Sequence, residues 1–181
     1  MRRLAWLLVS AVMLTAPAEW GWRYWREHRY DTAILTAARR YQVDPNLVKA
    51  IVWRESCFNA LARGRAGELG LMQIRALAAQ EWAQSEHLAM FQHSDCLDPA
   101  TNILAGTWYL KKVLKRYTQT DDPIPYALAD YNAGRGNLLK WKRGSAETNS
   151  AAFMAQVEFP TTRAYIQAIT AQSHCYQFPQ E

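Results

Sequence analysis

Apolar positions fall at helical spacing along most of this chain. Asp44 has the form of an N-cap and Pro45 that of a first helical residue, after which Leu47, Val48, Ile51 and Val52 recur at intervals of three and four. Glu55 lies three, four and seven residues beyond Val52, Ile51 and Val48 and so continues their face, whereas Lys49 and Arg54 fall on other sides. A carboxyl at the end of an apolar stripe tends to keep its proton, and a protonated carboxyl near neutral pH is what a general acid needs. The alternative is a helix-end glutamate that turns out to water or pairs with an arginine. The helix alone does not choose between them.

The same signals predict helices from Asp31 to Arg40, Asp44 to Ser56, Gln73 to about Trp82, Asp98 to about Tyr117, Pro125 to Asn132, and Pro160 to about Ser173. Pro99 and Pro160 suit first helical turns and Gly134 a helix stop, while the polar stretch from Arg143 to Ser150 reads as a loop. No hairpin signal, internal repeat or low-complexity tract interrupts the pattern. The expected fold class is therefore mainly α, in a single domain. With 181 residues, half of them hydrophobic and 12% aromatic, the chain is long enough to bury one sizeable core.

The N-terminus follows a different pattern. Arg2 and Arg3 precede an apolar run from Leu4 to Ala18 that ends in Ala16-Pro17-Ala18, the layout of a secretory signal cut after Ala18. The run is shorter than the roughly 20 residues of a spanning helix. An uncleaved inner-membrane anchor extending to about residue 25 is the competing reading, because Trp20, Trp22, Tyr24 and Trp25 resemble an interfacial aromatic belt. The expected organisation is a targeting segment over 1–18, a helical leader over 19–40, the main domain over 41–176 and a tail over 177–181. Both readings direct the domain to the cell envelope.

Charge and cysteine content narrow the picture further. The net charge is +5, or +3 without Arg2 and Arg3, which suits an anionic polymer. Nucleic acid is not expected, since the basic residues are scattered apart from Lys111-Lys112 and Lys115-Arg116, which read as a solvated helix face. Cys57, Cys96 and Cys175 allow one disulfide in any of three pairings, or three unpaired thiols. Cys57 lacks the ordered histidine a thiol nucleophile needs. His28, His87, His93 and His174 show no metal-ligand spacing, and His87 and His93 read as surface residues; neither metal nor cofactor is implied.

Three motifs stand in order: Glu55-Ser56 with Phe58, Gly70-Leu71-Met72-Gln73-Ile74, and Tyr131-Asn132-Ala133-Gly134, with Asp98-Pro99, Asn102-Ile103 and Gly106-Thr107-Trp108-Tyr109-Leu110 between the second and third. Near the C-terminus comes Thr162-Arg163-Ala164-Tyr165-Ile166. Together they resemble the catalytic domain of the soluble lytic transglycosylase family, lysozyme-like enzymes that cleave the peptidoglycan glycan strand, over about Tyr41 to Tyr176. Three positions depart from the family pattern: Gly64 stands where serine is usual, Glu68 where alanine is usual, and Thr161 where glutamate is commoner.

The resemblance implies a single lysozyme-like helical domain acting on peptidoglycan strands. It implies that Glu55 protonates the bridging oxygen between N-acetylmuramic acid and N-acetylglucosamine, then, ionised, takes the proton of the muramoyl C6 hydroxyl as that oxygen closes a 1,6-anhydro ring. Substrate contacts carried over with it are Gln73, Tyr131, Asn132 and Tyr165, with Ser56 in support. Met72 and Phe58 pack the cleft wall or the core, and Arg163 lines the far wall or the surface. Trp108 and Trp141 offer faces for sugar stacking, or pack.

Two rivals remain. A hydrolytic muramidase or chitinase-like enzyme of the same fold would need a second carboxylate, at roughly 5 Å for retention or about 6.5–9.5 Å for inversion. Glu68 and Glu158 are the candidates. Both, with Met72, are also secondary candidates for contacting substrate, Glu68 without acting as nucleophile or base; otherwise Glu68 pairs with Arg63 or Arg65 and Glu158 sits favourably before a helix N-terminus. A non-catalytic glycan-binding module is disfavoured by the joint presence of Glu55, Gln73 and Tyr131.

Overall fold

The computed structural model describes residues 19–178; the expected targeting segment and the last three residues of the expected tail lie outside them. A first helix, α1, is seen over 19–28. It is followed by α2 (Asp31–Tyr41), α3 (Pro45–Ser56), α4 (Ala76–Ser85), α5 (Pro99–Lys115), α6 (Pro123–Ala133), α7 (Arg135–Trp141), α8 (Ser150–Gln156) and α9 (Pro160–Cys175). Tight 3-10 turns at His93–Leu97 and Gly144–Glu147 precede α5 and α8. Among the described residues extended pairing is limited to isolated antiparallel bridges, Arg63 with Leu69 and Leu69 with Ile74. The fold is mainly α and lysozyme-like, as expected.

Helix starts follow local chemistry. The Asp44 carboxylate accepts from Asn46 N at 2.9 Å, Asp98 from Thr101 N at 2.8 Å, Asp122 from Ile124 N at 2.9 Å and Asn149 from Ala152 N at 2.8 Å, each satisfying an orphan amide of a first turn. Proline opens α3, α5, α6 and α9.

α3 is the central element, packed between α2 and α9. Val48, Ala50, Ile51 and Val52 are all fully buried, so the helix is enclosed on more than one face. Lys49, expected on a different side, is buried with them at 2% exposure. It survives there because Asp31 lies 2.7 Å from its Nζ, and the rings of Tyr176 and Phe178 cover it at 4.9 and 5.1 Å. The expected tail therefore docks in part: Phe178 N donates to Asn46 Oδ1 at 3.1 Å.

Several boundaries differ from expectation. The leader is broken by a turn at 29–30, and α6 begins two residues early, at Pro123. α4 starts at Ala76 rather than Gln73, because Gln73 has φ 47°, a left-handed conformation that cannot enter a helix. α7 follows directly on Gly134, which ends α6 at φ 80° and immediately launches the next turn. The expected loop from Arg143 to Ser150 holds a 3-10 turn and the first residue of α8.

Candidate active site

A cavity of about 260 Å³ opens where the end of α3, the loop before α4 and the end of α6 converge; Glu55, Glu68, Gln73, Tyr131 and Asn132 all line it. Glu55 is the penultimate residue of α3, held half-buried by the apolar packing of that helix. The Tyr165 hydroxyl, from α9, donates to Glu55 Oε1 at 2.6 Å. Burial raises the Glu55 pKa, and the bond from Tyr165 and the charge of Arg54 only partly offset it. Glu68 pushes the same way as burial, and the carboxyl ends above its ordinary range. Burial, and then the neighbouring Glu55, keep the Tyr165 phenol protonated far beyond neutral pH, so it remains a donor.

The loop carrying Gly70 to Gln73 is anchored from behind by Asn102. This fully buried amide accepts from Met72 N at 2.8 Å and donates to Leu69 O and Cys96 O at 2.8 and 2.7 Å, using its hydrogen-bonding capacity on backbone alone. At Gly70, φ is 75° and an added Cβ would come within 2.2 Å of Asn102 Nδ2, so the motif's first glycine is required by both backbone and space. Gln73 then turns its amide back on the loop, donating to Gly70 O at 2.9 Å and Ala62 O at 3.2 Å. Its carbonyl oxygen is left toward Gly64 and Glu68.

Tyr131 lies on the opposite wall. Its hydroxyl donates to Met72 O at 2.8 Å rather than to Glu55, and its ring packs against Tyr109 at 5.5 Å. Asn132 Oδ1 accepts from Thr162 Oγ1 at 2.8 Å, which ties α6 to α9 beside the cavity. Asp130, also lining the cavity, is held by Arg116 at 2.8 Å and Tyr117 at 2.7 Å.

Other expectations resolve differently. Ser56 bonds its own helix at Val52 O, 3.1 Å away, and does not line the cavity. Phe58 and Met72 are core residues, and Arg163 bonds Val157 O. Glu158 is exposed and absent from the cavity wall. Trp141, offered as a stacking face, is 1% exposed and packs edge-on against Phe159, whereas Trp108 is half-buried in a separate groove. His93 is half-buried, its Nε2 2.9 Å from Ile74 O. All three cysteines are free, and burial, with Asp95 nearby, pushes the Cys96 thiol up to about 12.

Glu68 pairs with Arg75, not with Arg63 or Arg65. Partial burial alone would raise its pKa. Its own backbone N–H, the Arg75 guanidinium and Ala66 N outweigh that and hold it below the ordinary range. A Cβ on Gly64 would sit 2.3 Å from Glu68 Oε2 and 2.8 Å from Gln73 Oε1. The two departures from the family pattern therefore belong together: the missing side chain at Gly64 is the space that Glu68 occupies.

Sequence reading gave no role to Asn102 and Tyr109, although both stand in its motifs, nor to Asp130, which directly precedes Tyr131, and it missed Arg75 altogether. For Asn102 a further signal existed, an amide in line with Gly106 and Leu110 on the buried stripe of α5. For Arg75 there was none.

Residues 32–154 match the family model described as the transglycosylase SLT domain. The chain is similar to the soluble lytic murein transglycosylase of Escherichia coli strain K12, 30% identical over 158 residues that make up 84% of this chain and 24% of that protein. It is also similar to membrane-bound lytic murein transglycosylase C of Shigella sonnei, 36% identical over 121 residues, 64% of this chain and 34% of that one. The crystal structure of the 70-kDa soluble lytic transglycosylase of Escherichia coli superimposes with a TM-score of 0.70 at 26% identity, covering 80% of this chain and 23% of that one. The chain thus spans about a quarter to a third of the length of these relatives.

Proposed function

This chain belongs to the transglycosylase SLT domain family, and on that premise we propose that it is a lytic transglycosylase that breaks the bond from N-acetylmuramic acid to N-acetylglucosamine in peptidoglycan and leaves 1,6-anhydromuramoyl ends. The observation that carries this reading is Glu55, half-buried in a cavity, donated to by Tyr165 and raised in pKa. In its protonated form it is a general acid for the glycosidic oxygen; once ionised it is a base for the muramoyl C6 hydroxyl. Because the nucleophile is part of the substrate, one protein carboxylate does the proton work of both steps, and intramolecular attack is favoured by proximity. The Tyr165 hydroxyl stabilises Glu55 after it has given up its proton. Gln73, Tyr131 and Asn132 bind the sugars in this scheme, and Met72 and Ser56 hold the framework behind them.

Hydrolysis is the second reading, favoured by one observation: Glu68 lines the same cavity and its lowered pKa keeps it ionised. Its bonds to Arg75 and the loop backbone occupy it, which supports the transglycosylase reading. Digestion of sacculi in water enriched in heavy oxygen separates the two. Unlabelled anhydro ends are expected; labelled reducing ends as the main product would make the enzyme a hydrolase. We also place the domain at the cell envelope, released by cleavage after Ala18. An intact N-terminus recovered in membranes would instead favour an anchor, flanked by the exposed Trp20, Trp22, Tyr24 and Trp25.

A further inference from the structure

The seam between α4 and α5 carries more than the catalytic cavity. Ala78 of α4 and Tyr109 of α5 line that cavity. One turn further along both helices, Lys112 of α5 is ion-paired with Glu81 of α4. Beyond this pair the seam widens into a second groove of about 710 Å³, walled by Arg40, Trp108, Lys111, Lys112 and Lys115. Ala78, Glu81 and Ser85 follow one another at three- and four-residue steps, so they share one face of α4, and the two openings sit about 10 Å apart along it.

The groove is cationic in net effect. Glu86, the carboxylate in its wall, is already engaged by Arg40 and by the Tyr41 hydroxyl at 2.8 Å. Lys112 is matched by Glu81 and lies over the Trp108 ring at 5.4 Å. Lys111 Nζ donates to the Gln42 carbonyl at 2.9 Å, and among the described residues neither Lys111 nor Lys115 forms an ion pair. Two ammonium groups beside a half-buried indole, with the local carboxylates neutralised, form a site for a flexible anionic chain with apolar side groups.

We propose that this groove binds the acidic peptide stems of peptidoglycan, Lys111 and Lys115 taking carboxylates while Trp108 packs against side chains, as a strand lies in the catalytic cavity. The proposal rests on peptidoglycan being the substrate of that cavity. Reach is adequate, since four extended residues span about 13 Å. An amidase frees the lactyl carboxylate but removes the stem's own carboxylates and side chains, and the lactyl group is held to the sugar ring too closely to reach from the cavity to the groove, so affinity gained there depends on strands that carry peptides.

The test uses the full chain, made inactive by Glu55→Gln, in sedimentation assays with two materials: intact sacculi, and glycan strands freed of stem peptides by an amidase. Lys111→Gln with Lys115→Gln is expected to weaken binding to intact sacculi at least five-fold and to flatten its salt dependence, with binding to stripped strands unchanged. In the active background the pair should raise KM on peptide-bearing strands and leave kcat alone. Lys115→Glu, a surface change, gives an independent variant, and a thermal melt checks folding. Equal losses on both materials, or no loss on either, would overturn the proposal. So would a loss seen only with vesicles of anionic phospholipid. If the unsubstituted chain cleaves no glycan yet the lysine variants still lose peptide-bearing sacculi selectively, the proposed activity fails and the groove stands. If it cleaves glycan and the lysine variants bind as before, the groove fails and the activity stands.

Discussion

In the proposed reaction a single proton on Glu55 decides the outcome. Glutamine keeps the shape but has no proton to give, so Glu55→Gln is expected to lose glycan cleavage by several orders of magnitude while still sedimenting with sacculi; near-normal turnover by the folded variant would remove the assignment. The same substitution changes stability with a definite sign. The fold raises the pKa of Glu55, so the stability it contributes is full below about 4.5 and is lost as pH rises through the higher folded value. The melting temperature of Glu55→Gln should therefore gain on that of the parent as pH climbs through this window, and parallel curves would contradict the shift. Tyr165→Phe removes a bond that favours the carboxylate, so the Glu55 pKa rises further and the alkaline limb of the rate profile moves to higher pH. Glu55 was legible in the sequence because it continues an apolar face and opens the first of three motifs standing in order. Tyr165 was named only as a substrate contact, and its pairing with Glu55 was not legible: it lies 110 residues away, and only the packing of α9 on α3 brings the two together.

Most elements with their own punctuation were read well, although the Asp122-Pro123 start of α6 was passed over for Pro125, and those specified by neighbours were not. Asp44-Pro45, Asp98-Pro99 and Pro160 announce α3, α5 and α9, because cap and proline chemistry is local. The start of α4 was misjudged because Gln73 owes its left-handed backbone to the loop that Asn102 pins from a distance. α7 and α8, seven residues each, are too short to show a period. The loop between α3 and α4 offers a direct test of coupling. Gly64→Ser forces a side chain against Glu68 and should cost about 1–3 kcal/mol in denaturant unfolding. Adding Glu68→Ala should restore much of that loss. Additive effects of the two changes would mean that the positions do not share space.

At the scale of the whole molecule, length and composition were enough for a single core, periodicity for its helices, and the motif order for the family. The way the end of α1 meets the segment after α9 was hidden, because it depends on a lysine buried against expectation. His28 Nδ1 lies 2.7 Å from Asp31 and 3.2 Å from Lys49, and Tyr176 and Phe178 close over the same ammonium. Lys49→Met would leave the Asp31 carboxylate without its cation. As Asp31 keeps some solvent contact, the expected loss is near the lower end of roughly 3–5 kcal/mol, measured by chemical denaturation. An unchanged midpoint would mean that the pair contributes nothing net. The cluster also makes neighbours of residue 28, at the end of α1, and residue 178, so the stretch from α2 to the last described residue starts and finishes at one spot. A unit with that layout can be spliced into a longer host, or hung from a tether, without rerouting any strand across its mouth, and it would tolerate circular permutation at a remote loop tip for the same reason.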